Sequence, residues 1–179
     1  DDGGVPMKMA YADPPYLGCG SRYDHPQTRI WDLPQTHVDL LNTLYDHYPD
    51  GWACSLSVPS LGLYTGAMRP GTRVAAWVKP FASFKPGVGL GYCWEPVLVW
   101  GGRKRTREEP TCRDFLAENI TLKKGLCGAK PLRFNQWILG LLNVWNTDVF
   151  DDCFPGTNGM AEARRLGLHD LGGPRKVKR

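Results

Sequence analysis

The chain reads as an α/β protein with a mostly parallel sheet and helices on both faces, and three observations point there. Short apolar runs alternate with stretches whose apolar residues recur at helical spacing, the strand, helix, strand order that calls for parallel pairing. The first run stops at Asp13-Pro14-Pro15-Tyr16, where two prolines remove ladder donors and a following helical turn, so the backbone leaves the sheet rigidly extended. Near the other end, residues 148–153 lead through Phe154-Pro155-Gly156-Thr157-Asn158-Gly159 into a helical pattern. A stiff corner at a strand's carboxyl end and a glycine turn before a helix are both places where open α/β sheets hold ligands.

At 179 residues the chain suits one domain, taken as 7–170 with flexible ends at 1–6 and 171–179. Hydrophobic residues make up 42 % and charged residues 22 %, a globular balance that argues against disorder. No apolar run has the length of a membrane span and no charged-then-apolar leader opens the sequence, so the expectation is a cytoplasmic protein with no membrane partner. Cys19, Cys54, Cys93, Cys112, Cys127 and Cys153 show no Cys-x-x-Cys pair and no nearby histidine, which argues against zinc, any other metal site or a disulfide framework. The net charge is +4, with clusters at Arg103, Lys104, Arg105, Arg107 and at Arg175, Lys176, Lys178, Arg179. Such clusters suit a phosphate-bearing substrate and equally suit a solvated loop and tail.

Residues 7–12 predict a buried strand ending at a carboxylate. Asp13 and free backbone carbonyls can accept the hydrogens of a planar amino-bearing ring, and Tyr16 can stack on its face. The loop 17–31 is polar and aromatic, and a resemblance to enzymes in which the region after such a corner can close over the target makes Tyr23, His25 and Trp31 candidate substrate contacts. Asp32 and Gln35 read as a capping box, and Val38, Leu41, Leu44, Tyr45 and Tyr48 as the packed face of a helix that Pro49 and Gly51 end. Residues 52–58 form the next candidate strand, 60–68 a short helix, and 73–78 a third strand ending at Lys79-Pro80. The glycine-rich stretch 79–94 is too long for a plain connection and reads as a flap beside the active site. Glu95-Pro96 then opens a strand over 97–100. The basic segment 101–115 is too small to bury the surface of an independent DNA-reading module, which leaves a short recognition segment or a small substrate. Lys130-Pro131 opens a helix on which Phe134, Trp137, Ile138, Leu141, Leu142 and Trp145 share a face. A helix over 160–166 closes the pattern.

Asp13-Pro14-Pro15-Tyr16 after a short apolar strand resembles the catalytic motif of S-adenosylmethionine-dependent amino methyltransferases, which methylate adenine N6 and, with variants, cytosine N4. Trp77-Val78-Lys79-Pro80, the flap and Trp94-Glu95-Pro96-Val97-Leu98-Val99-Trp100 are similar to a run in such enzymes of DNA and of RNA. Asp152, Phe154 and Gly156 match the family's Asp-Pro-Phe-x-Gly-x-Gly cofactor turn. Asn158 stands where the second glycine usually does, and asparagine tolerates positive φ better than other side chains. Together with Lys130-Pro131 these motifs cover most of 7–163, in an order that implies a Rossmann-like class I methyltransferase fold, minimal and circularly permuted, with the catalytic half first.

What the resemblance implies is transfer of a methyl group from S-adenosyl-L-methionine to the N6 amine of adenine in DNA, with S-adenosyl-L-homocysteine as product. RNA, single-stranded nucleic acid or a free adenine nucleotide stay open as substrates, and so does a non-catalytic nucleotide-binding module. Asp13, Pro14, Pro15 and Tyr16 take the catalytic role. Asp152, Phe154, Pro155, Gly156, Thr157 and Asn158, with Ala12, Asp13 and Lys130, take the cofactor. Tyr16, Tyr23, Lys79, Phe84, Trp94, Glu95 and Arg103 take the substrate. Two departures stand out. The family's histidine-containing segment before Lys-Pro is replaced by 125–129. Beyond the glycine turn the sequence holds no further strands, although the family's sheet has two more there and one of them ends in an acidic residue for the cofactor ribose; Asp170 is a poor substitute. An uncovered parallel edge suggests a homodimer.

Overall fold

In the computed structural model, residues 5–22, 26–81, 86–121, 129–156 and 158–166 are described. The apolar runs become strands β1 (Lys8–Ala12), β2 (Gly51–Ser55), β3 (Arg73–Val78), β4 (Trp94–Gly101), β5 (Phe115–Ala117) and β6 (Val149–Asp152). Between them lie helices α1 (Pro34–His47), α2 (Leu61–Ala67), α3 (Leu132–Leu142) and α4 (Gly159–Leu166). One sheet holds all six strands in the order β5-β3-β4-β2-β1-β6. Every strand in it points the same way except β4, which is antiparallel to both neighbours.

Side-chain alternation divides the core into two layers. Met9 and Tyr11 of β1, Ala53 of β2, Ala75 and Trp77 of β3 and Val97 of β4 face α3 and α4, where Phe134, Trp137, Ile138, Met160 and Ala163 bury. The intervening Ala10, Ala12, Trp52, Cys54 and Leu98 face α1 and α2, where Leu41, Leu44, Tyr45 and Tyr64 bury. Each such large side chain contributes about 1.5–3 kcal/mol on leaving water. The helices therefore sit on both faces, as the alternation of apolar runs predicts.

Three local expectations are corrected. Asp32 does not cap α1: Leu33 is the N-cap residue, while the Asp32 carboxylate accepts the Gly20 amide at 2.9 Å. Asp32 ends a turn of 3-10 helix over Pro26–Asp32, so its side chain is committed to the loop before the helix starts. The strand expected at 97–100 starts at Trp94, because Trp94 and Glu95 pair with Val78 and Trp77. The segment 101–115 gives no separate recognition unit. It runs back along α3 and ends in β5, which adds to β3 in parallel.

That segment closes the edge of the sheet opposite the carboxyl ends of the parallel strands. β4 is antiparallel, so its last residue, Gly101, lies beside Gly51 at the start of β2. The approach is so close that a β-carbon on Gly51 would stand 2.3 Å from the Gly102 nitrogen. Arg105 donates to the Gly140 carbonyl in the last turn of α3, a favourable place for a cation. Arg103 pairs with Asp148 and lies 3.9 Å from the centre of the Trp145 ring. Asp148, fully buried, also accepts the Met7 amide at 2.8 Å and the Trp145 amide at 2.7 Å. It thus ties the entries to β1 and β6 and the exit from β4 together.

Removing that carboxylate leaves the nearly buried Arg103 unpaired and two backbone amides without acceptors. Asp148→Ala is expected to lower the unfolding free energy by about 3–5 kcal/mol, measured by denaturant melts.

Candidate active site

The proline corner and the glycine corner are far apart in sequence and adjacent in space. β1 and β6 are neighbouring parallel strands with Tyr11 opposite Asp152, and the Cys153 amide donates to the Tyr11 carbonyl at 2.9 Å. Both strands end at the same edge, so both corners open onto it. Such an edge, beyond the carboxyl ends of parallel strands, is where a sheet of this class has room for a ligand.

Polar side chains reach this edge by continuing the alternation that builds the core. Beyond Met9 and Tyr11 the same face of β1 presents Asp13; beyond Ala53, β2 presents Ser55; ahead of Val97, β4 presents Glu95; beyond Ala75 and Trp77, the chain after β3 presents Lys79. Lys130 arrives from above, just before α3. Its ammonium lies 3.2 Å from Asp13 Oδ1 and 3.1 Å from Glu95 Oε2, and it donates to Tyr16 Oη at 2.9 Å. Tyr16 in turn donates to Glu95 Oε2 at 2.6 Å, and Lys79 donates to Glu95 Oε1 at 2.7 Å. The rings of Tyr16, Trp77 and Phe134 surround the Lys130 ammonium at 5.2, 5.4 and 5.7 Å, favourable for a desolvated cation.

Shielding from water makes these charges interact strongly. Exposure of the side chains is 9 % for Lys130, 12 % for Lys79, 18 % for Glu95 and 23 % for Asp13. Burial works against the Glu95 charge, but Lys130 and Lys79 more than offset it and hold its pKa at about 2. Burial dominates at Asp13 and raises its pKa, assisted by Glu95 and opposed by Lys130. Burial also disfavours the Lys130 cation, and here the two carboxylates win, raising its pKa. The result is a Lys130–Glu95–Lys79 chain of alternating charge beside a carboxylate, Asp13, that takes up a proton more readily than usual.

Beneath this cluster Tyr11 Oη and Ser55 Oγ share a buried hydrogen bond of 2.8 Å. The run 52–58 contains Ser55, yet its place below Asp13 follows only from the pairing of Ala12 with Cys54. The alternation that carries Tyr11 on to Asp13 is the signal that could have marked it.

At the second corner Gly156 and Asn158 both take the left-handed conformation, with φ of 41° and 57°. Asn158 accepts the Glu162 amide at 3.1 Å and so begins α4. Among the described residues, a β-carbon at Gly156 would meet only the Phe154 carbonyl, at 3.7 Å, so none of them covers the backbone there. Asp152 accepts the Phe154 amide at 3.2 Å; burial, opposed by that bond and reinforced by Asp13, raises its pKa. Phe154 meets Trp31 edge-on, ring centres 5.2 Å apart. Trp31 is held by its carbonyl, 2.7 Å from His37 Nε2, and His37 Nδ1 lies 2.7 Å from the Tyr64 hydroxyl. The loop before α1 therefore packs on the glycine corner.

Ala12, Asp13, Pro14, Pro15, Tyr16, Lys79, Trp94, Glu95, Lys130, Asp152, Phe154, Pro155, Gly156 and Asn158 thus all lie at this edge. Lys130, expected at the cofactor, is engaged instead by Asp13, Glu95 and Tyr16. Arg103, expected at the substrate, is at the opposite edge with Asp148, because the reversed direction of β4 carries the chain away from Glu95. Tyr23, His25, Phe84, Thr157, Asp170 and the basic tail lie outside the described residues. A cavity of about 450 Å³ runs along the outer side of β6 beside α4, lined by Phe150, Asp152, Met160 and Arg164 among others. It meets the site only at Asp152.

No family model matches the sequence, and no curated protein does. Solved structures do match by shape. The crystal structure of the M1.HpyAVI-SAM complex superposes with a TM-score of 0.54 at 16 % identity, over 90 % of this chain and 78 % of that one. The crystal structure of M1.HpyAVI gives 0.51 at 15 % identity, over 90 % and 77 %. The shared property is the fold, a Rossmann-like α/β sheet with helices on both faces.

The depressed Glu95 pKa carries a stability consequence with a definite sign. Its contribution is complete above the ordinary value of 4.5 and is lost as pH falls toward about 2. Urea melts across that window are expected to show a loss on the order of 2–3 kcal/mol that Glu95→Gln largely abolishes.

Proposed function

We propose that this chain is an S-adenosylmethionine-dependent methyltransferase that modifies the exocyclic N6 amine of adenine in DNA. The observation that carries the reading is the adjacency of Asp13, at the end of β1, to the open glycine corner at the end of β6. A carboxylate for an amine thus stands next to a cradle for a nucleotide-like cofactor. The likeness in fold to M1.HpyAVI, solved with SAM bound, supports the choice of cofactor.

The residues at the glycine corner fit such a group. Gly156 leaves the backbone uncovered and Asn158 holds the turn without strain that a branched side chain would add. Asp152, Phe154, Pro155, Gly156 and Asn158, with Ala12 at the end of β1, would hold the cofactor, which supplies an electrophilic methyl group on its sulfonium. The task of the protein is then positioning and polarisation.

Asp13 and the Pro14 carbonyl accept the two amine hydrogens, which directs the nitrogen lone pair toward the methyl group. Tyr16 stacks on the ring. As nitrogen gains its bond to carbon, the adjacent Asp13 carboxylate stabilises the positive charge that develops there. The amine then gives up one hydrogen as a proton, for which Asp13, with its raised pKa, is the nearest acceptor in this reading. An adenine in duplex DNA must leave the stack to reach these groups.

Tritiated-methyl transfer is the test, run side by side on duplex DNA, single-stranded DNA, RNA and adenine nucleotides. Incorporation at adenine N6 of duplex DNA is the expected result; absence of transfer to every substrate rejects the reading. Asp13→Ala is expected to reduce transfer by at least about a hundredfold while binding S-adenosylmethionine in calorimetry, and full activity in that variant removes Asp13 from its role.

A further inference from the structure

The sequence-level resemblance allots Lys130 to the cofactor and Glu95 to the substrate, yet neither side chain is free for such contacts. An ammonium has three hydrogens, and three oxygens lie within reach of that of Lys130: Asp13 Oδ1 at 3.2 Å, Glu95 Oε2 at 3.1 Å and Tyr16 Oη at 2.9 Å. Both Glu95 oxygens are likewise engaged, one by Lys79 at 2.7 Å and the other by Tyr16 at 2.6 Å and Lys130. We infer that Lys130 and Glu95 are positioning residues for the proposed transfer, Lys130 orienting the Asp13 carboxylate and Glu95 anchoring the Tyr16 ring by its hydroxyl. This rests on the functional reading above and gives it an internal mechanism.

Geometry shows why two indirect residues are needed. Asp13 follows β1 into a corner where the next two residues, Pro14 and Pro15, contribute no backbone donors with which to fix the carboxylate. Lys130 supplies that fixture from a different element, and α3 holds it in place through Phe134, buried beside Tyr11 and Trp77. A tyrosine stacking on a base must keep its ring plane, and a single hydroxyl contact to a carboxylate held from two sides, by Lys79 and Lys130, restrains that plane. Among the described residues, the ionisable groups that face Asp13 are Lys130 before α3, Glu95 on β4, Tyr11 on β1, Tyr16 in the corner, Cys54 on β2 and Asp152 on β6. Lys130 is the one cation in that set, so its removal leaves Asp13 facing Glu95 and Asp152 with no opposite charge from that set in contact.

The test compares the whole protein with Lys130→Met, Lys130→Arg and Glu95→Gln, after thermal melts have shown which variants fold. In the cofactor-free protein, carbon-detected titration of the Asp13 carboxyl is expected to move upward by about one unit or more in Lys130→Met. Lys130→Arg restores most of that shift. The acid limb of the transfer rate against pH moves with it. Glu95→Gln is expected to raise KM for the adenine substrate about tenfold with a smaller change in kcat. An Asp13 titration and acid limb identical to wild type in Lys130→Met, with affinity for S-adenosylmethionine reduced, would overturn the inference and return Lys130 to the cofactor. Unchanged KM in Glu95→Gln would remove Glu95. If Lys130→Met does not fold, Lys130→Gln replaces it in the same titration. Because that titration needs no turnover, the two failures are distinguishable: a wild-type protein that transfers nothing defeats the functional reading, and this inference with it, whatever the titration shows, whereas a shiftless titration in a protein that does transfer defeats this inference alone.

Discussion

Two carboxylates and two ammonium groups meet under the start of α3, and the rest of the candidate site is built around keeping that group together. Isolated charges so poorly exposed would cost several kcal/mol each. Here the signs alternate, Asp13 to Lys130 to Glu95 to Lys79, with distances of 2.7 to 3.2 Å. The chain of contacts spans β1, the end of β3, the beginning of β4 and the segment before α3, so it forms only when all four are in place. Folding and assembly of the site are therefore one event. The aromatic side chains around Lys130 have a double role, since Trp77 and Phe134 are core residues on one side and ring partners of the cation on the other.

Placement of β1 within the sheet is what brings the two corners to one edge. Its neighbours are β2, which puts Ser55 beneath Asp13, and β6, which brings the glycine corner alongside. Both pairings are parallel, so all three strands end at the same edge. β4 enters at that edge and leaves at the other. The same reversal that delivers Glu95 to the site removes Arg103 from it.

At the far edge the chemistry is similar and the purpose differs. Asp148 is as deeply buried as anything near the active edge, yet its partners are Arg103 and two backbone amides. Those contacts fasten strand ends together. Two buried ionic clusters at opposite ends of one sheet thus differ in kind: the Asp148 side chain is wholly covered, whereas Asp13 retains exposed surface. The basic segment beside Asp148 belongs to the structural cluster, with Arg105 on the last turn of α3.

Much of the fold was legible along the chain because it depends on local pattern. Short apolar runs marked β1, β2 and β3, helical spacing marked α1 and α3, and the two corners announced themselves through Pro14, Pro15, Gly156 and Asn158, whose backbone preferences are intrinsic. β5 was missed because three residues with exposed ends carry no periodicity, and Asp32 was misread because its partner, Gly20, lies in a loop with no pattern. The sequence by itself determined where the two corners at β1 and β6 fall, since a carboxylate beside two prolines and a glycine turn before a helix are local statements. Only the tertiary structure decided the partners. Lys130 reaches Asp13 across more than a hundred residues, and Arg103 is withdrawn from the site, because strand order and direction are set by packing of the whole sheet and not by any stretch of it.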